Sequence, residues 1–149
     1  MAVPVVKVCI KANAALQTVY DLVKDFESFA SFMPNVNRIE IQERGDGYVL
    51  SAWDVSVVGR QLSWIERDEF DDENFIIRYQ QVEGKLARFE GEWRFERVED
   101  GVEISLVVDF DLGKPTLAAL FHPVLIRAIE ENALNMLHAI KEKAEREGG

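Results

Sequence analysis

Val82-Glu83-Gly84-Lys85-Leu86-Ala87-Arg88-Phe89-Glu90-Gly91-Glu92-Trp93-Arg94-Phe95-Glu96 is the stretch that decides the fold. Within it Phe89, Gly91, Trp93 and Phe95 alternate with Arg88, Glu90, Glu92, Arg94 and Glu96. A period of two places the aromatic set on one face of a strand and the charged set on the other. The charged face meets water, so the aromatic face must find a cover. Gly91, in the middle of that aromatic face, is expected to mark a bulge or bend that lets the sheet curve.

The same period extends in both directions. Upstream, Val36–Glu43, Tyr48–Val58, Leu62–Phe70 and Phe75–Val82 read as strands, and downstream Val102–Leu112 does. The breaks are short: Gly45-Asp46-Gly47, Gly59-Arg60, Asp71 to Asn74, Glu83-Gly84-Lys85, Glu99-Asp100-Gly101 and Gly113-Lys114-Pro115. Neighbouring strands therefore pair as antiparallel hairpins. Ahead of this meander, Val3–Lys11 reads as a further strand. Asn13 offers an N-cap to a helix carrying Leu16, Val19, Tyr20, Val23 and Phe26, and a second short helix or bend runs from Phe26 to Met33. After a short turn at Thr116–Phe121, with Pro123 at the first helical turn or at a kink, a long helix follows. Its apolar stripe holds Leu125, Ile126, Ile129, Ala133, Met136, Leu137, Ile140 and Ala144. The expected class is α+β: a curved antiparallel sheet in the order β-α-α-β6-α, wrapped on a long C-terminal helix as one domain over residues 1–149, fraying after about residue 145.

Composition narrows the function. The chain has 149 residues, 48% of them hydrophobic, which suffices for one full core. Its net charge of -10 opposes nucleic acid and anionic lipid, so neither is expected as a partner. No apolar run reaches the roughly 20 residues needed to span a bilayer, and no secretory signal is visible, so a cytoplasmic address is expected. One cysteine and two histidines supply no metal-site pattern, and no glycine-rich phosphate loop calls for a cofactor. Cys9 is expected as a small buried hydrophobe, and His122 and His138 as structural or exposed. The chain is expected to act as a monomer or homodimer.

The Val82–Glu96 stretch resembles the pattern VEG-x-L-x-x-F-x-G-x-W-x-F of the polyketide cyclase/dehydrase and coenzyme-Q-binding branch of the START-like superfamily, which includes the birch-pollen-allergen proteins. Val108-Asp109-Phe110-Asp111-Leu112-Gly113, His122-Pro123-Val124 and Glu131-Asn132-Ala133-Leu134-Asn135-Met136-Leu137 resemble the same branch. The similarity runs from Val5 to about Lys143. It implies the helix-grip fold and an internal pocket for an apolar small molecule such as a lipid, quinone or polyketide. These motifs mark the branch and do not separate its enzymes from its binders.

Alternation and the resemblance together name pocket candidates. Trp53, Trp64, Phe89 and Trp93 line a cavity or pack an ordinary core. Phe29, Phe32 and Met33 stand near the mouth, as a pliable lid or as packing. Ile129, Asn132 and Met136 face the sheet from the covering helix, where the Asn132 amide needs polar partners. In the aromatase members, the resemblance implies a strand serine and arginine after the tryptophan, and a serine and tyrosine after the second helix. Matching Trp64 puts Glu66 and Asp68 at the first two positions, and Pro34 and Val36 at the others. The aromatase set is thus absent. Glu66 and Asp68 remain the weak catalytic candidates, as a coupled carboxyl pair if they point inward. The charged run Arg67, Glu69, Asp71 and Asp72 favours a strand that bends outward and leaves both solvated. Two functions follow: carriage of an apolar molecule, or polyketide cyclisation and dehydration. A regulator whose pocket alters partner contacts is a third.

Overall fold

A computed structural model describes residues 5–57, 59–111 and 115–148, without the side chains of residues 60, 115–122, 125 and 148. Val3, Val58 and Leu112 and the side chains of Leu125 and His122, on which sequence readings fell, lie outside it.

β1 (Val5–Ala12) leads into α1 (Leu16–Lys24) and a 3₁₀ helix (Phe26–Ser31). β2 (Val36–Gly45), β3 (Tyr48–Val57), β4 (Arg60–Asp71), β5 (Ile76–Glu83), β6 (Arg88–Val98) and β7 (Gly101–Asp111) then form the meander, and α2 (Pro115–Gly148) closes the chain. All seven strands pair antiparallel in the order β1-β7-β6-β5-β4-β3-β2. β1 completes the sheet beside β7, so α2 lies across the concave face, against β1, α1, β3 and β7. This is the helix-grip fold.

Inward alternation holds throughout. Val6, Val8 and Ala12 on β1, Trp93 and Phe95 on β6, and Ile104, Leu106, Val108 and Phe110 on β7 are buried. So are Ala133, Met136, Leu137, Ile140 and Ala144 on α2. The strip of α2 facing the sheet is the one that carries the apolar stripe.

Five expectations change. Cys9 is exposed, because it sits between Val8 and Ile10 on the outer face of β1, beside Ser105. Asn13 does not cap α1. The N-cap is Ala15, with no side-chain hydrogen bond, and the Asn13 N–H donates instead to Glu145 Oε2 at 2.8 Å. That bond ties the end of β1 to the last turns of α2. The 116–121 segment is helix rather than turn, since α2 starts at Pro115 and holds Pro123 in its interior. Gly91 carries no bulge: β6 pairs with β5 and β7 in unbroken register across it. The register shifts lie instead at Val36/Arg38 and Ile41/Glu43 in the β2–β3 pair and at Ile65/Glu66 in the β4–β5 pair. Glu66 and Asp68 are not solvated, for reasons developed with the site.

α1 is anchored to the sheet by Tyr20, whose ring meets Phe75 and Phe95 edge-on and whose hydroxyl donates to Asp72 Oδ1 at 2.7 Å. Lys24 reaches the same oxygen at 3.0 Å. Tyr20→Phe keeps the ring contacts and removes one charge-assisted bond, so a loss of about 1 kcal/mol is expected in urea denaturation.

Candidate functional site

Between the concave sheet and α2 lies a cavity of about 390 Å³. It arises because the inward side chains of β3 to β7 do not fill the space under the helix. Trp53, Trp64, Phe89 and Trp93 form its aromatic walls, with Val55, Leu106 and Val108 beside them. Ile129, Asn132 and Met136 close it from α2. Gln61, Leu62, Ser63 and Lys85 are exposed lining residues, so the mouth opens between the β3–β4 and β5–β6 turns.

The indoles of Trp53 and Trp64 are directly paired across β3 and β4, and they stack with centroids 5.6 Å apart and planes 11° from parallel. Phe89 meets Trp64 edge-on at 5.1 Å. Phe29, Phe32 and Met33 are not among the lining residues. Phe29 and Met33 are buried, and the Phe29 ring backs Trp53 and Trp93 at 5.9 and 6.4 Å. Phe32 is half-buried against Phe29 and under Lys143 Nζ. The 3₁₀ helix thus buttresses the wall from behind, because it packs onto β2.

Asn132 is half-buried on the cavity face of α2. Its Oδ1 accepts a hydrogen bond from Asn35 Nδ2 at 3.1 Å, and its own amide nitrogen reaches the Met136 sulfur at 3.9 Å. The amide is therefore oriented by the loop before β2, with polar capacity to spare toward the cavity. His138 is exposed on the opposite side of the helix.

The polar centre of the site is on β4. Register puts Glu66 opposite Ser51 and Asp68 opposite Tyr79, so these four side chains gather on the concave face. Glu66 is 3% exposed and Asp68 0%. The charged run that suggested an outward bend does not end the strand: Arg67 and Glu69 alternate onto the opposite face, and β4 continues to Asp71. Burial is tolerated because donors are built in. Trp64 Nε1 donates to Glu66 Oε1 at 2.7 Å, and the Ser51 hydroxyl donates to Asp68 Oδ2 at 2.5 Å. Ser51 in turn accepts from Trp53 Nε1 at 2.8 Å. Asp68 Oδ1 has no N–H or hydroxyl donor among the described residues. Glu66 stands two residues away on the same buried face, and two carboxyls held close bond only by sharing a proton.

Electrostatics decides how tightly a proton is held. Burial first, then the Asp68 charge and the bond to Asp68, push Glu66 well above the usual carboxylate range, against the lowering effect of the Trp64 N–H. Burial also pushes Asp68 up to about 6, against the hydrogen bonds of Glu66 and Ser51, which lower it. Both carboxyls are thus held above the ordinary carboxylate range, so the pair binds a proton more tightly than two exposed acids would. Burial, with the charges of Glu66 and Asp68, raises Tyr79 as well, and its hydroxyl donates to the Val107 carbonyl at 2.7 Å.

Ser51 links Trp53 to Asp68 in a network that the sequence reading did not assemble. Alternation already put Ser51 on the Trp53 face, but a lone serine there carries no sign of its partner. Pairing across β3 and β4 supplies it.

Residues 12–137 match the family described as polyketide cyclase / dehydrase and lipid transport. The ribosome association toxin RatA of Escherichia coli K12 is 26% identical over 129 residues, covering 86% of this chain and 78% of that protein. Among solved structures, TTHA0849 from Thermus thermophilus superposes with a TM-score of 0.91 at 27% identity, over 98% of this chain and 100% of that one. The Zhui aromatase/cyclase from Streptomyces sp. R1128 gives 0.87 at 26% identity, over 97% and 95%. With the family match spanning most of the sheet and of the covering helix, the chain belongs to the polyketide cyclase/dehydrase and lipid transport family.

Proposed function

We propose that this protein shelters and carries an apolar small molecule, of lipid, quinone or polyketide type, in the cavity under α2. The observation that carries this reading is the cavity itself: about 390 Å³, walled by aromatic and aliphatic side chains with only a few polar groups. At about 25 cal/mol per Å², burying roughly 300 Å² of ligand is worth about 7 kcal/mol before ordering costs. No helix among the described residues is long and apolar enough to cross a membrane, in keeping with a ligand that comes to the protein. A cytoplasmic address and a monomeric or homodimeric state belong to the same reading. RNA docking does not, since a net charge of -10 opposes it.

Mass spectrometry of organic extracts from natively purified protein tests the proposal. A stoichiometric apolar molecule is expected, and Ile129→Trp, which fills the cavity from α2, should lower its recovery at least about tenfold. Empty extracts from both proteins, with no apolar compound raising the melting temperature, would overturn it.

A second reading, polyketide cyclisation with dehydration, is favoured by one feature: Glu66, whose carboxyl is pushed by burial well above its usual range, stands on the cavity wall where a general acid would act. Loss of cyclised product from a reconstituted polyketide synthase on Glu66→Gln, with ligand retention intact, would select it.

A further inference from the structure

We infer that the cavity selects its ligand by charge, taking an apolar body that carries a cationic nitrogen and rejecting carboxylate-headed molecules. The inference rests on the binding reading above and names the ligand class that reading leaves open.

Two independent features converge. The first is an anionic centre without an internal counter-ion. Glu66 forms part of the cavity wall, and Asp68 follows two residues along the same buried face of β4, with one oxygen held by Ser51. Neither carboxyl takes part in any ion pair among the described residues, whereas Lys24, Arg88 and Lys141 each hold an acid elsewhere. The charged side chains lining the cavity are Glu66 and Lys85, and Lys85 is exposed in the β5–β6 turn, where water screens it. Tyr79, the other titratable group facing the pair, stays neutral and directs its proton to the Val107 carbonyl. Beyond it stand Glu90 and Asp109, the latter paired with Arg88 at 3.1 Å.

The second feature is the ring arrangement. The stacked Trp53–Trp64 pair, Phe89 edge-on to Trp64, and Tyr79 tilted against Phe89 at 5.7 Å surround the same region as the Glu66 carboxyl. Indole and phenyl faces are negative and attract cations, an effect worth more once water is excluded. A protonated amine beside Glu66 meets aromatic walls and a carboxyl pair that can release a proton to water. A carboxylate in the same place meets like charge in a medium of low dielectric. Ionic and aromatic terms thus have the same sign for a cation and the same opposite sign for an anion.

Three probes with one apolar body separate the possibilities: naphthylethylamine, naphthylethanol and naphthylacetate, titrated calorimetrically at neutral pH. The amine is expected to bind at least about tenfold more tightly than the alcohol, with the acid weakest. In the Glu66→Gln/Asp68→Asn double variant the three should converge to within about twofold. Far-ultraviolet circular dichroism and a urea curve confirm that the variant is folded. An acid that binds as well as the amine overturns charge selection, as does an amine preference that survives in the double variant. An alcohol that binds most tightly overturns it in favour of neutral hydrogen-bond recognition, with the carrier reading intact. If no probe binds and native extracts are empty, the carrier reading falls with it.

Discussion

Gly91→Ala should lower the unfolding free energy by about 3 kcal/mol or more, because the added methyl has nowhere to go. A Cβ at Gly91 would lie 1.9 Å from the Val107 carbonyl oxygen and 2.7 Å from the Tyr79 hydroxyl. The hydroxyl belongs to a side chain that can swing away, at the loss of its 2.7 Å bond to that carbonyl. The carbonyl itself is backbone of β7, in register with β6, and moves only if the strand ladder opens. Tyr79→Phe isolates the cheaper part and should cost about 1 kcal/mol. The Gly91→Ala/Tyr79→Phe double variant should remain strongly destabilised, because the backbone clash survives the loss of the hydroxyl. Urea denaturation of the three variants measures this. A Gly91→Ala variant within about 0.5 kcal/mol of the parent would mean that β6 and β7 separate freely here.

The second large effect is a fall of stability with rising pH, opposite in sign to ordinary surface acids. Glu66 and Asp68 both have folded-state pKa values above the ordinary carboxylate value. The folded chain therefore binds their protons more tightly than the unfolded chain does. Stability from the pair is fully present below about pH 4 and is lost as pH rises through 6 and beyond. For Asp68, a move from 3.8 to about 6 corresponds to roughly 3 kcal/mol at neutral pH, and Glu66 adds to it in the same direction. Asp71, Asp72 and Glu145 are held below their usual range by hydrogen bonds and act oppositely. They do so only at more acid pH, and they are surface groups of small effect. The urea midpoint should thus decline between about pH 5 and pH 8, and Glu66→Gln should flatten that decline by removing one titrating group of the pair. A midpoint that rises across this range in both proteins would show that the carboxyls are hydrated after all.

The same burial that lowers stability at neutral pH is the strongest sign that β4 serves binding or chemistry. Well-packed apolar residues at Glu66 and Asp68 would stabilise the sheet, whereas these carboxyls depend on Trp64, Ser51 and one another for every hydrogen bond. Stability given up at the wall of a cavity is the usual mark of a functional site.

How much of this was legible beforehand differs between elements. The facing of the β6 segment Arg88–Val98 was readable, since charge cannot be buried along one whole face and the aromatic set had only one other side. The six-stranded meander, its turns and the stripe on α2 followed from the same local rule. Alternation together with the family resemblance named Trp53, Trp64, Phe89, Trp93, Ile129, Asn132 and Met136, and those seven line one cavity. Boundaries were weaker: α2 starts at Pro115, although glycine and proline nearby looked like a turn.

What the local pattern could not contain was anything that depends on a partner strand. Whether Glu66 and Asp68 face water is a question about the donors opposite them, and Ser51 lies seventeen residues from Asp68 in the chain. Gly91 reads as a bulge or bend, until Tyr79 of β5 is seen crossing it to β7. Phe29 to Met33 read alike as lid or buttress, until the 3₁₀ helix lands on β2. Periodicity by itself determined which face each side chain takes, because that follows from backbone geometry one residue at a time. Only the tertiary structure decided which of the inward side chains share a hydrogen bond, a ring contact or a cavity, because cross-strand register brings together residues that the chain keeps far apart.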